Sequence, residues 1–203
     1  AISGAKKIQL LGLDAVYTQL QMENIPFLRG LESGFGLNSI PGTWLESIQI
    51  TKGTGSVVNG YESMAGLVNL EFKKPTEMPK LALNVYQNRF GRSEINVQSG
   101  AKLNDKWHMG TFLHGATIYG RPDHNHDGFL DLTNGQTFSL LQRFAYQGKR
   151  MEAQVGLQAY SDRKNGGQVA YAQAVPGAYG MLLESQHLSL FSKTGFFGKK
   201  PAQ

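Results

Sequence analysis

The stretch that decides the fold runs Leu45-Glu-Ser-Ile48-Gln-Ile50-Thr-Lys52-Gly53-Thr54-Gly55-Ser56-Val-Val-Asn59-Gly60. It continues Tyr61-Glu-Ser-Met-Ala-Gly66-Leu-Val68-Asn69-Leu70-Glu-Phe72-Lys-Lys74-Pro75. Ile48 and Ile50 alternate with polar neighbours, the pattern of a half-buried strand. Lys52 to Ser56 breaks it with two glycines. Leu67 to Phe72 reads as a further strand, closed by Lys73, Lys74 and Pro75. Gly53 and Gly60 are placed where a turn asks for positive φ, which makes them structural residues.

Upstream the texture stays short. Ile8 to Leu11 and Tyr17 to Met22 read as brief strands, and Gly30, Gly34 and Gly36 mark a loop before Pro41. Downstream it changes. From Lys80 the chain alternates over long segments. Leu81, Leu83 and Val85 oppose Asn84, Tyr86 and Asn88. Ile95, Val97 and Ala101 oppose Asn96, Gln98 and Lys102. A third segment runs from Trp107 to Tyr119. The fourth, 137–147, sets Phe138, Leu140, Phe144 and Tyr146 against Ser139, Arg143 and Gln147. The fifth sets Met151, Ala153, Val155, Leu157 and Ala159 against Glu152, Gln154, Gly156, Gln158 and Tyr160. A sixth lies near His187 to Phe197.

These strands are expected to be about ten residues long, the length that crosses a bilayer at a tilt of about 45°. Short turns at 104–106 and 147–150 trade places with long connections at 120–136 and 161–185, the asymmetry of outer-membrane barrels. Only the turn at 91–93 departs from it. Trp107 and Tyr119 share a parity, and their separation spans roughly 28 Å along a tilted strand, one aromatic for each interface. Six strands do not close a barrel, and an open sheet leaves backbone groups unpaired in lipid. Further strands are therefore expected outside these 203 residues.

Composition agrees. Only 17% of residues are charged, 40% are hydrophobic and 25 are glycine. That is too apolar for a disordered chain, yet no apolar run reaches the ~18 residues of a membrane helix. With no Cys, disulfides and Cys-ligated zinc are excluded. The formal charge of +5 comes from scattered pairs such as Lys6-Lys7, Lys73-Lys74 and Lys199-Lys200, not from the basic face of a nucleic-acid binder. No nucleic-acid partner is expected. The opening residues, Ala1 to Lys7, form neither a signal peptide nor a Met start, so the sequence is expected to be a piece of a longer protein.

On these residues the chain resembles the TonB-dependent outer-membrane receptors. Their plug domain reads I-E-x-I-E-V-x-(R or K)-G-P-x-S-x-x-Y-G and then G-G-V-I-N-I-x-T-K-x-P. Glu46, Ile48, Ile50, Lys52, Gly53, Ser56 and Gly60 match the first part, and Gly66, Val68, Asn69, Leu70, Lys74 and Pro75 the second. Thr54 stands where the family has Pro, and Asn59 where it has Tyr. Ile8 to Leu13 resembles the family's I-x-I-R-G-x, Glu23 to Pro26 its D-G-V-P, and Leu37 to Pro41 its L-x-x-I-P.

The resemblance implies a small α/β plug followed by antiparallel strands of a transmembrane β-barrel. Residues 1–78 would be the C-terminal part of the plug. Residues 79–203 would be the N-terminal part of the barrel. The implied function is active import of a scarce ligand (iron chelate such as a siderophore, haem, cobalamin, metal or glycan) across a Gram-negative outer membrane. The plug would gate a lumen of the ~22-stranded class. The implied partners are the ligand, outer-membrane lipid, and TonB acting through a segment outside this sequence. By position, Arg29, Gly30, Glu32, Ser33, Gly34, Phe35 and Gly36 form a plug apex and are the candidate ligand contacts. No cofactor is required.

Asp123-His-Asn125-His-Asp127-Gly128-Phe129-Leu-Asp131 matches D-x-N-x-D-G-x-x-D. Hard oxygens at alternate positions suit Ca²⁺, with the Phe129 carbonyl as a further ligand. The same residues also favour an ion-free turn. His124 and His126, with His108, His114 and His187, are a weaker candidate for a transition metal. An enzyme is not expected, since no nucleophile elbow, phosphate loop or H-E-x-x-H is present. The alternative function is a soluble Ca²⁺-dependent adhesion or carbohydrate-binding β-module, whose strands also alternate.

Overall fold

The computed structural model describes residues 8–27, 37, 40–56 and 63–198. Its strands form two sheets. The first holds β1 (Thr18–Met22), β2 (Ile25–Pro26), β3 (Leu45–Lys52) and β4 (Gly66–Phe72) in the order β2-β1-β4-β3. β1 runs parallel to β4, from Thr18 opposite Gly66 to Met22 opposite Leu70. β2 and β3 pair antiparallel to their neighbours.

β4 lies inside the sheet, and Leu67, Val68, Leu70 and Phe72 give it the apolar content that a strand covered on both faces requires. All its residues but Glu71 are buried. Leu10, Leu20, Ala65, Val68 and Leu70 form the core of this sheet, with Ile8 and Leu45 packed against it. Trp44 is fully buried, its ring 6.4 Å from that of Phe72. Gly66 admits no side chain: a Cβ there would lie 2.5 Å from both Leu10 Cδ1 and the Thr51 carbonyl oxygen.

Three expectations change in this half. Ile8–Leu11 is not a strand but ends in a turn closed by the Leu10–Leu13 bridge. Ile48 and Ile50 point to the exposed side of β3, an edge strand, and are more than half accessible. Among the described residues before Lys73, where the α/β plug was expected to have helices, there are 3₁₀ turns at Ala15–Tyr17 and Gly42–Trp44 and no α-helix.

The second sheet holds β5 (Ala82–Gln87), β6 (Arg92–Lys102), β7 (Trp107–Ile118), β8 (Asn134–Gln147), β9 (Met151–Gly167) and β10 (Gly180–Phe196), each beside its chain neighbour. The expected face assignments hold, and the exposed face is largely apolar while the buried face mixes polar side chains with Phe112, Leu141, Ala145, Tyr160 and Phe191. Leu83, Val85, Ile95, Phe138, Leu188 and Leu190 are exposed, while Asn96, Gln98, His114, Ser139, Arg143 and Gln158 are buried. Water disfavours such an exposed apolar face. No closed barrel forms among the described residues: β5 and β10 are open edges.

The expected uniform strand length of about ten residues is also corrected. β9 and β10 each have 17 residues, so the connection expected at 161–185 shrinks to 168–179, with a four-residue helix at Val169–Ala172. By spatial grouping the chain divides into two compact units. One comprises Ala1–Lys73, Arg121–Asn134 and Lys164–Leu182; the other comprises Lys74–Gly120, Gly135–Arg163 and Leu183–Gln203.

Candidate functional site

The seven candidate ligand contacts, Arg29, Gly30, Glu32, Ser33, Gly34, Phe35 and Gly36, lie outside the described residues. What the structure does describe is the frame beside them. β1 and β2 are joined through Glu23 and Asn24, whose φ values of 55° and 64° form a two-residue turn of the kind that matches strand twist. The turn is fastened to β4 from both sides. The Asn24 amide donates to Asn69 Oδ1 at 2.8 Å, and the Phe72 amide donates to Glu23 Oε1 at 3.0 Å. Asn69 also donates through Nδ2 to Gln49 Oε1 on β3 at 3.4 Å. One buried side chain thus ties β3, β4 and the turn together. Gly53, at φ 92°, has the positive φ expected of it.

The loop 123–131 is organised by its own carboxylates. Asp123 accepts from the amides of Asp127 and Gly128, both at 3.1 Å. Asp127 accepts from the Phe129 amide and from Asn125 Nδ2, each at 2.8 Å. Asp131 Oδ2 accepts from the His124 amide at 2.9 Å and lies 2.7 Å from its Nδ1. The His124 amide, and after it the imidazole, holds the Asp131 carboxyl below its ordinary value. His126 and Gly128 take positive φ.

Asp123, Asn125, Asp127 and Asp131 are therefore engaged in shaping the loop. Among the described residues no group of three or more Asp, Glu or His side chains is placed to hold a metal ion. The histidines are dispersed too: His114 meets Asn96 Oδ1 at 2.8 Å, His124 meets Asp131, and His187 stacks on Tyr160 with ring centroids 5.3 Å apart.

The loop is joined to its neighbour across the strand tips. The Leu130 amide donates to the Gly167 carbonyl and the Val169 amide to that of Gly128, both at 2.9 Å. Phe129 forms a bridge with Gln168, and its ring lies 6.5 Å from that of Tyr179. Both long connections are thereby fastened to each other.

The buried face of β6–β9, continued by the exposed Asn84 of β5, carries polar groups that composition did not single out. Asn84, Asn96, His114 and Ser139 are register partners in turn across four strands. Asn96 Nδ2 donates to Asn84 Oδ1 at 3.3 Å. Elsewhere on this face Thr137 Oγ1 donates to Asp162 at 2.6 Å, and Arg143 donates to Gln154 at 2.7 Å. Parity gave the face of each residue; only strand register brings them to one level.

No family model matches the chain, and no curated protein matches it. Among solved structures it is similar to one described as "Copper transporter OprC", with a TM-score of 0.64 and 12% identity. The likeness covers 93% of this chain and 30% of that one, so the chain spans less than a third of the neighbour's length. At that identity it shows fold alone, and at that level it supports the plug-and-barrel resemblance carried by Glu46 to Pro75.

Proposed function

We propose that this chain is part of a TonB-dependent importer in the outer membrane of a Gram-negative bacterium. Residues 1–78 are the C-terminal part of its plug, and 79–203 are its first barrel strands. The observation that carries this reading is the burial of the second sheet: Leu83, Val85, Ile95, Phe138, Leu188 and Leu190 are exposed on one face, while Asn96, Gln98, His114, Ser139, Arg143 and Gln158 are buried on the other beside Phe112 and Leu141. Lipid favours such a sheet because it solvates the apolar face and leaves the polar face to a lumen. Lipid also forbids open edges, so β5 and β10 pair with further strands of the whole protein. The small sheet around β4 is the gate, and TonB acts on it through a segment outside this sequence. The cargo belongs to the scarce-ligand classes: iron chelates, haem, cobalamin, metals or glycans. The copper in the neighbour's name is that protein's own. The same burial argues against a soluble Ca²⁺-dependent adhesion or sugar-binding module.

The test uses the full-length protein in outer-membrane preparations, spin-labelled at one engineered cysteine at a time. Labels at Leu83, Val85, Leu188 and Leu190 are expected to be relaxed by dissolved oxygen and shielded from an aqueous nickel chelate. A label at Asn96 is expected to be shielded from oxygen. Water-like accessibility at all four leucine and valine positions would sink the proposal.

A further inference from the structure

The exposed face of the second sheet is not smooth. Strand register sets two adjacent rows across it. Val85, Ile95, Gly115 and Phe138 are partners in one row. Gln87, Ser93, Thr117 and Gln136 are partners in the next row, toward the long connections. The first row is apolar with a gap at Gly115; the second is made entirely of hydrogen-bonding side chains.

A cavity of about 600 Å³ opens over that gap, and Arg163 lines it beside the polar row. A second, of about 370 Å³, is lined by Phe138 together with Ala159 and Leu188. The two share Phe138 and Ser161. Val85, Ile95, Ala116 and Phe138 give the larger cavity its apolar lining, Phe138, Ala159 and Leu188 that of the smaller beside Gln186 and His187, and Arg163 lines the larger.

From this geometry we infer a site for an anionic, phosphate-bearing lipid with more than one acyl chain, seated astride Phe138 with its phosphate at Arg163. The inference rests on the membrane reading above. Three features of the site select that occupant. Two partly apolar cavities that share Phe138 match paired hydrocarbon chains, while a single apolar ligand would need one. Gln136, Thr117 and Ser93 offer hydrogen bonds at one level, where a headgroup begins. Arg163 supplies the positive charge, and guanidinium binds phosphate through paired N–H donors.

Two carboxylates bear on the charge balance. Glu94 lines the larger cavity but is engaged by Arg92 on its own strand. Glu184 lies 3.1 Å from Arg163, both side chains more than half exposed. An exposed ion pair of this kind is weak, so a phosphate displaces Glu184 from Arg163 and does not enter an uncompensated site.

The test is lipid retention by the full-length protein. It is purified in detergent and exchanged with mixed micelles holding phosphatidylglycerol or phosphatidylcholine of identical chains. Bound lipid is then counted by native mass spectrometry. The native protein is expected to retain phosphatidylglycerol in preference. Arg163→Gln is expected to weaken that preference about tenfold, the scale of one charge-assisted contact. Glu184→Gln is expected to strengthen it by freeing Arg163. Gly115→Leu is expected to lower retention of both lipids by filling the groove. A Cβ at Gly115 meets only Ile95, at 3.5 Å, so the substitution starts from an ordinary contact. Arg163 and Glu184 sit on exposed side chains and decide the matter even if Gly115→Leu fails to insert. Equal retention of the two lipids by the native protein, or an unchanged preference in Arg163→Gln, overturns the site. Failure of the native protein to hold any bilayer lipid would instead count against the membrane reading itself.

Discussion

Asn69 carries more structure than its single side chain suggests. Its buried amide accepts from the Asn24 amide and donates to Gln49, so its removal strands a buried main-chain donor. Asn69→Ala is expected to cost about 1–3 kcal/mol, read as a fall in the denaturant midpoint of the small sheet. Asn69→Asp, which keeps the acceptor, is expected to cost less.

Asp131 gives a pH-dependent counterpart. Its carboxyl titrates below the ordinary value of 3.8 because the His124 amide and imidazole favour the ionised form. A depressed folded value stabilises the loop above the unfolded value. The effect is therefore full at neutral pH and fades as pH falls through and below about 3.8. Amide exchange at His124 is expected to speed up in that window and to be the same at pH 7 with Ca²⁺ or with a chelator. Calcium-dependent protection there would support the metal reading of 123–131.

At the scale of elements, alternation was legible because its period is local: each strand of the second sheet shows its two faces in its own residues. Length was not. Ser161 to Gly167 reads Ser-Asp-Arg-Lys-Asn-Gly-Gly, a stretch of turn formers. Even so, β9 continues through it, because pairing with a neighbouring strand satisfies its backbone whatever side chains it carries. Edge position was equally hidden. The Ile48 and Ile50 alternation is real, but which side of β3 is covered depends on a sheet order that no local pattern encodes. The two faces yield a direct prediction on β10. Leu190→Lys is expected to destabilise the inserted protein by about 2–4 kcal/mol if it sits near the bilayer midplane. Ser189→Lys, facing the other way, is expected to cost much less. Unfolding in urea from lipid vesicles measures both.

For the whole molecule, the plug resemblance placed Gly66, Val68 and Asn69 in a motif without saying why. The structure supplies the reasons: Gly66 for its close approach to Leu10 and Thr51, Val68 for the core, and Asn69 for the cross-strand tie. The site was less legible. Arg29 to Gly36 falls outside the described residues. The carboxylates of 123–131 fit a metal pattern and a self-bonded turn equally well in sequence, and the structure adds their hydrogen-bond partners within the loop. The rung from Asn84 to Ser139 needed four strands in register before it existed at all.

The parallel pairing of β1 with β4 bears on how such a gate would yield. Suppose force enters ahead of Thr18 and is resisted beyond Phe72, where the chain continues into the second sheet. The two strands are then drawn in opposite directions along their common axis. All the pairings from Thr18 opposite Gly66 to Met22 opposite Leu70 share that shear at once; they do not peel apart one by one. A gate strung this way resists a gentle tug and gives way abruptly above a threshold force.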